Sequence, residues 1–442
     1  MSQATRILSA LALGLALGIG LAAWNVSIAD IAIALGIRRF SAWNTSTADI
    51  GVLFLQPIGT AWLNALQMTV VPLVVALLVT GVAATAEAAR AGRIAGRALG
   101  LFIVLLWFFS IMAGVLTPLL LGWFPLPAEA ATALRAALST TQPVGDIPPF
   151  SDFIASIVPT NPIAAAANNA FLPLIVFTMV FAFALTRLPA EPRQLLTNFF
   201  QAIADVMLVV IGWILWLAPL GVFALAYVVS ARAGTAALGA LLHYVMIVSS
   251  IGIIVWIASF PIGAIGGRVG LPRFIRATVP AQAVAISTQS SLASLPAMLR
   301  GAEGLGVPVA TSGVILPLAV AIFRVTGPPM NLAVAIYVAY WFGIPLGPTQ
   351  LAAGIAVAAI TTLGAVSLPG QISYVTSIAP ICIAMGVPIA PLGLLVAVET
   401  IPDIFRTLGN VTMDLATTVS VSARSGAVVE TEADLLLRDA TP

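Results

Sequence analysis

Eight stretches of this chain are apolar for about 20 residues or more, the length of helix that crosses the hydrocarbon core of a bilayer. They run near 5–24, 50–84, 98–122, 168–187, 197–229, 236–266, 309–343 and 388–420. Backbone polar groups have no water to bond in lipid, so such runs must be helices. Composition agrees: of 442 residues 60% are hydrophobic and 8% charged, where soluble domains reach about a quarter charged. The expected fold is an all-α polytopic membrane protein. The first run, behind Arg6, could pass for a signal peptide. It is long enough to span and others follow, so it reads as a retained first helix.

The charges orient the chain. All 18 basic residues are arginine, and the net charge of +2 is too small to attract nucleic acid. Arg90, Arg93 and Arg97, then Arg187 and Arg193, then Arg268, Arg273 and Arg276 fall on one side, the cytoplasmic one by the positive-inside rule. Arg38 and Arg39 are the exception. The loop 124–166, with Asp146 and Asp152, is then external, and both termini are cytoplasmic. The tail 422–442 carries Arg424, Glu430, Glu432, Asp434, Arg438 and Asp439 and reads as a flexible polar end. Lone Cys382 excludes an intrachain disulfide or a cysteine metal cluster. His243 reads as a polar group at a helix interface ahead of a proton relay. No cofactor motif is present.

Two apolar stretches are not clean spans. Residues 275–300 are broken by Ser287-Thr288-Gln289-Ser290-Ser291 and Pro296, and residues 351–385 by Ser367-Leu368-Pro369-Gly370-Gln371. Irregular backbone at membrane depth is tolerated only when buried in protein or lining a cavity. Both therefore read as re-entrant helical hairpins. The two echo one another: Ser294-Leu295-Pro296 precedes Gly306-Val307-Pro308, and Ser367-Leu368-Pro369 precedes Gly386-Val387-Pro388, each followed by a helix. Hairpin-then-helix, twice, is the trace of an inverted repeat in a secondary transporter. The helix after the first hairpin is interrupted at Thr326-Gly327-Pro328-Pro329, where two prolines remove two donors.

The helix after the second carries Glu399, Asp403, Arg406, Asn410 and Asp414. Their offsets from Glu399 are four, seven, eleven and fifteen, one narrow sector of a single helix. Three acids and an arginine inside a membrane need one another, a ligand or water. The competing reading is an internal ladder in which Glu399 or Asp403 bonds Arg406.

At this point the chain resembles the dicarboxylate/amino acid:cation symporter family, the glutamate transporter homologues, over nearly its full length. The stretches that carry the resemblance are Val158-Pro159-Thr160-Asn161-Pro162, Ala218-Pro219-Leu220-Gly221-Val222-Phe223-Ala224, Gln289 to Pro296, and Asp403 to Asp414. The resemblance implies eight transmembrane helices plus two re-entrant hairpins in a homotrimer of the bacterial inner membrane. In each protomer a transport domain moves like an elevator against a scaffold. It divides the chain into scaffold helices 1–2 (1–97), transport helix 3 (98–122), an external loop with scaffold helices 4–5 (123–235) and transport helix 6 (236–268). Hairpin 1 (269–308), helix 7 (309–343, broken near 323–329), hairpin 2 (350–386) and helix 8 (387–421) follow.

It also implies roles. Asp403 matches the acid that binds the substrate amino group, and Arg406 the arginine on the side-chain carboxylate. Thr407 and Asn410 match further substrate contacts, and Ser290 and Ser291 the serines at the α-carboxylate. Pro369 and Gly370 match the gating tip. The chemistry agrees, because a guanidinium fork fits a carboxylate and an acid fits an ammonium. Together they recognise aspartate or glutamate. A plain dicarboxylate would leave Asp403 facing an anion.

The departures concern cations. In a gapless match the family's asparagine-methionine-aspartate-glycine-threonine motif falls on Phe323-Arg324-Val325-Thr326-Gly327. Phe102 to Leu106 replace tyrosine, threonine and serine ligands. Sodium needs several oxygens, and of the implied ligands Asn410 and Asp414 survive. Arg324, in the gap, is expected to be a tethered cation serving Asp414 or the carbonyls at the break; the competing reading is snorkelling toward lipid phosphate. A shifted match would make Asn331 the motif asparagine, which the gapless fit disfavours. Coupling is thus expected to be to protons, with Glu399, Asp403 or Asp414 as carrier, or absent, with sodium last. Leu292, Ala293 and Gly327 also depart, which keeps a neutral amino acid or a dicarboxylate open as substrate. A channel is the competing class, since Arg406 and Arg324 could line an anion path. An aspartyl protease is excluded: Asp403 and Asp414 sit about 16 Å apart on one helix, and a catalytic dyad must nearly touch.

Overall fold

A computed structural model describes residues 3–24, 46–90, 93–126, 158–168, 170–362 and 370–425. All regular structure among them is helical. Most of the 124–166 loop, Arg38, Arg39, the Ser367–Pro369 tip and the tail from 426 lie outside the described residues. Six helical stretches among the described residues are long and apolar enough to cross a membrane. Two of the eight expected spans fall short of that measure. The helix from the 168–187 run has 15 residues, and the 388–420 run carries its polar stripe.

The elements in chain order begin with α1 (Gln3–Trp24), α2 (Thr47–Gln67), α3 (Val70–Arg90) and α4 (Arg93–Trp123). Next come α5 (Pro162–Ala167), α6 (Phe171–Leu185), α7 (Ala190–Trp216), α8 (Ala218–Ala233) and α9 (Ala236–Gly266). Then follow α10 (Leu271–Thr288), α11 (Ser291–Gly304), α12 (Val309–Ile322), α13 (Gly327–Phe342), α14 (Pro348–Thr361) and α15 (Gly370–Ala384). The chain closes with α16 (Leu392–Leu395), a 3-10 turn (Val396–Val398) and α17 (Thr400–Ser425).

Several runs read as continuous are divided. Residues 50–84 break at Met68–Thr69 because Pro72 has no N–H and its ring presses on the carbonyl four residues back. Residues 197–229 break at Leu217, just ahead of Pro219. The run 388–420 is not one helix either: the 3-10 turn interrupts it, and Glu399 stands at the joint while the rest of the stripe lies on α17. In helix 7 the break is Phe323–Thr326. Pro328 and Pro329 do not cause it; they sit in the first turn of α13, where a missing donor is harmless.

The sequence echo reappears as geometry. α10 packs on α11 and α14 on α15, forming two helical hairpins. Each ends in the same cap: Gly306 and Gly386 have φ of 86° and 70°, while Val307 N–H donates to the Ala302 carbonyl (3.0 Å) and Val387 N–H to that of Cys382 (2.7 Å). Only glycine takes that φ without strain, so the helix stops there and the chain turns back.

Two apolar cores hold the molecule. One joins α1–α3, the end of α4, α6–α9 and α13–α16; the other joins the first part of α4, α10–α12 and α17, with Val255 of α9. Helix 7 and the charged helix after the second hairpin each have a half in each core. α12 belongs to the second and α13 to the first, α16 to the first and α17 to the second. Both breaks therefore lie where the two apolar cores meet, and the buried polar residues collect in that seam.

Candidate functional site

Four elements bring polar groups to the seam. The tip of the first hairpin is tied to the start of α17 by Gln289, whose φ of 50° is left-handed and whose Nε2 donates to the Thr400 carbonyl at 3.0 Å. Ser290 caps α11, its hydroxyl accepting from Ala293 N–H at 3.2 Å, and Ser291 beside it is buried. Lower down, Gln282 Nε2 donates to Thr412 Oγ1 at 3.0 Å. From the second hairpin, Gly370 opens α15; Tyr374 on its next turn meets Tyr244 of α9, hydroxyl to hydroxyl, at 2.7 Å. Pro369 lies outside the described residues.

Arg406 is the hub. It is 6% exposed, and Glu399 and Asp403 are 0% and 5% exposed, so their charges must be met within the protein. Arg406 Nη2 donates to Glu399 Oε1 at 2.5 Å, Nη1 donates to Asn331 Oδ1 at 2.8 Å, and Nε lies 3.4 Å from Asp403 Oδ1. Tyr244 donates to Glu399 Oε2 at 3.1 Å. Thr407 spends its hydroxyl on the Asp403 carbonyl, at 2.9 Å.

Thr326 clasps the break in helix 7 to α17. Its N–H donates to Asn410 Oδ1 at 3.0 Å, and its hydroxyl lies 2.8 Å from both Asn410 Oδ1 and the Arg406 carbonyl. The approach needs Gly409, where a Cβ would stand 2.4 Å from Thr326 Cγ2.

The far end of the stripe is different. Asp414 is 1% exposed and, among the described residues, neither of its carboxylate oxygens has a hydrogen-bond partner. Phe102 and Phe323, the two positions expected to have lost oxygen ligands, stack on one another with centroids 4.2 Å apart and planes 9° off parallel. Arg324, at the break in helix 7, is partly buried. Among the described residues no cluster of three metal-ligating side chains occurs. Sequence reasoning missed Gln289, Thr326, Tyr244 and Tyr374 as members of this seam, and treated Asn331 only as a rejected motif position. Asn331 lies one turn past the double proline, a position from which it could have been found.

The geometry is that of a buried polar seam in a chain with membrane-length helices. Comparison with known proteins settles the class. The profile of the sodium:dicarboxylate symporter family matches residues 4–424. The chain belongs to that family. It is a family of transporters, so the protein is not an enzyme. Among its relatives are the proton/glutamate-aspartate symporter of Escherichia coli, 30% identical over 81% of this chain and 82% of its own; a proton/sodium-glutamate symport protein of Geobacillus stearothermophilus, 27% identical over 81% and 85%; and a C4-dicarboxylate transport protein of Leptothrix cholodnii, 24% identical over 84% and 83%.

Proposed function

We propose that this family member carries acidic amino acids, aspartate or glutamate, across the bacterial inner membrane without sodium. The observation that supports it most is the buried Arg406 beside Asp403, a guanidinium and a carboxylate one turn apart at the tip of the first hairpin. Arg406 takes the side-chain carboxylate in a two-pronged bond and Asp403 takes the ammonium. Ser290 and Ser291 serve the α-carboxylate, and Thr407, Asn410, Pro369 and Gly370 complete the pocket.

The Phe102–Phe323 stack supports independence from sodium, because apolar rings fill positions that would need oxygens. Arg324 supplies the fixed positive charge in the cation's place, with Asn410 and Asp414 as the remnant of that site. Charge arithmetic favours a proton as the coupling ion: three carboxylates (Glu399, Asp403, Asp414) face two guanidiniums (Arg324, Arg406), and an acidic amino acid adds one more negative charge. A proton taken up with substrate restores the balance. Glu399, Asp403 and Asp414 are its candidate carriers, and Asp414 is the one whose oxygens are uncommitted.

In this reading the chain works as a homotrimer of eight spanning helices and two re-entrant hairpins per protomer, with both termini cytoplasmic and an elevator-like transport domain. Relatives named as C4-dicarboxylate transport proteins support a dicarboxylate as the second reading, but Asp403 would then face an anion. Proteoliposomes test the proposal. Labelled aspartate should show saturable counterflow, which a pore does not, and a proton gradient should drive uptake where a sodium gradient does not. Saturable counterflow of labelled succinate, with no aspartate counterflow, would move the protein to the second reading.

A further inference from the structure

Three guanidiniums converge on one groove at the open end of the first hairpin, far from its tip. A cavity of about 730 Å³ lies between α10 and α11, lined by Arg273, Arg276, Pro280 and Val284 on one helix and by Arg300 and Gly304 on the other. The spacings of three and four place 273, 276, 280 and 284 on one face of α10. The two walls approach closely because Gly301 has no side chain: a Cβ there would stand 2.6 Å from the Ala277 carbonyl oxygen.

Each guanidinium carries five N–H donors, and few are used. Arg273 Nη2 donates to the Gly304 carbonyl across the groove at 2.9 Å, and Arg276 Nε donates back to the Pro272 carbonyl at 3.2 Å. No carboxylate among the described residues pairs with any of the three. Like charges crowded around one cavity repel, and an anion between them removes the repulsion. The floor of the same groove is apolar, formed by Ala277, Pro280, Val284 and Ala297. A cluster of positive charge and an apolar floor thus share one cavity on a protein with membrane-length helices.

We propose that this groove binds the phosphate of an anionic phospholipid, an acyl chain of which runs along Pro280, Val284 and Ala297. The complementarity is chemical. Guanidinium forks match phosphate oxygens, basic pockets between membrane helices are suited to anionic headgroups, and the apolar floor asks for hydrocarbon, which a free anion lacks. Because Arg273 and Arg276 stand on α10 and Arg300 on α11, the phosphate bridges the two helices and clamps the open end of the hairpin. The other end is already tied to α17 through Gln289.

Thermal unfolding of the purified, detergent-solubilised chain tests this, titrated with phosphatidylglycerol, phosphatidylcholine or inorganic phosphate. Phosphatidylglycerol should raise Tm and the other two should not. Arg273→Gln/Arg276→Gln/Arg300→Gln should need on the order of 100-fold more phosphatidylglycerol for the same shift. A charge-matched control, Arg6→Gln/Arg187→Gln/Arg193→Gln, should respond like the wild type. If the triple variant does not fold, Arg300→Gln alone should show a shift of about fivefold. The proposal is overturned if the groove variants respond like the wild type, if the control loses the response equally, or if inorganic phosphate reproduces the effect.

Discussion

The two ends of the polar stripe on α17 have opposite surroundings. Toward its start, Glu399, Asp403 and Arg406 are enclosed by hydroxyls and amides from every neighbouring element: Tyr244, Asn331, and Gln289 at the hairpin tip. Four residues past Asn410, the carboxylate oxygens of Asp414 meet no donor among the described residues, and elsewhere in the same apolar core Phe102 and Phe323 stack. A buried ion is tolerated where partners surround it and is expensive where they do not. In the proposed function the first end exchanges one carboxylate for another on Arg406, and the second keeps an acid where apolar rings replace cation-binding oxygens. That proposal makes recognition and ion coupling separable in this chain.

Four experiments probe that contrast, beginning with the most damaging. Arg406→Ala strands Glu399 and Asp403 in the seam; a loss of about 3–5 kcal/mol in unfolding free energy, with no aspartate binding by calorimetry, is expected. Stability near wild type in that variant would mean the charged end does not depend on its hub. Gly409→Ala drives a methyl into Thr326 and opens the clasp that joins the two ends. Overpacking of this kind destabilises by about 2 kcal/mol, and denaturant unfolding should show it. Arg324→Met removes the cation proposed to stand in for sodium. Since Arg324 is partly exposed, its loss should cost about 1–2 kcal/mol or an equivalent fall in affinity, and unchanged transport and melting would reject the substitution idea. The smallest effect belongs to the stack. A double-mutant cycle of Phe102→Leu and Phe323→Leu should give a coupling of about 1 kcal/mol, and additivity would show that the rings merely fill space.

Much of this was legible in the sequence, for identifiable reasons. The hairpins announced themselves because serines and prolines interrupt apolar runs where a bilayer forbids loose backbone. The stripe was legible because helical periodicity is strict. Helix continuity was not: hydropathy is blind to the breaks at Met68–Thr69, Leu217 and Val396–Val398, since apolar residues flank them all. Prolines mark two of these, but their effect falls up to four residues upstream. The partners of Arg406 were hidden for another reason. Asn331 meets Arg406 from one helix, while Tyr244 bonds Glu399 and Tyr374 bonds Tyr244 from two others, and no local pattern records that tertiary packing will gather them around one ion pair.

The central claim is that acidic amino-acid recognition survives here without sodium. Titrating purified protein with aspartate by calorimetry, first in choline and then in sodium buffer, tests it most directly. The account predicts binding of equal affinity in the two buffers. Tight binding confined to sodium would contradict it, and would mean that a working cation site exists beside the Phe102–Phe323 stack.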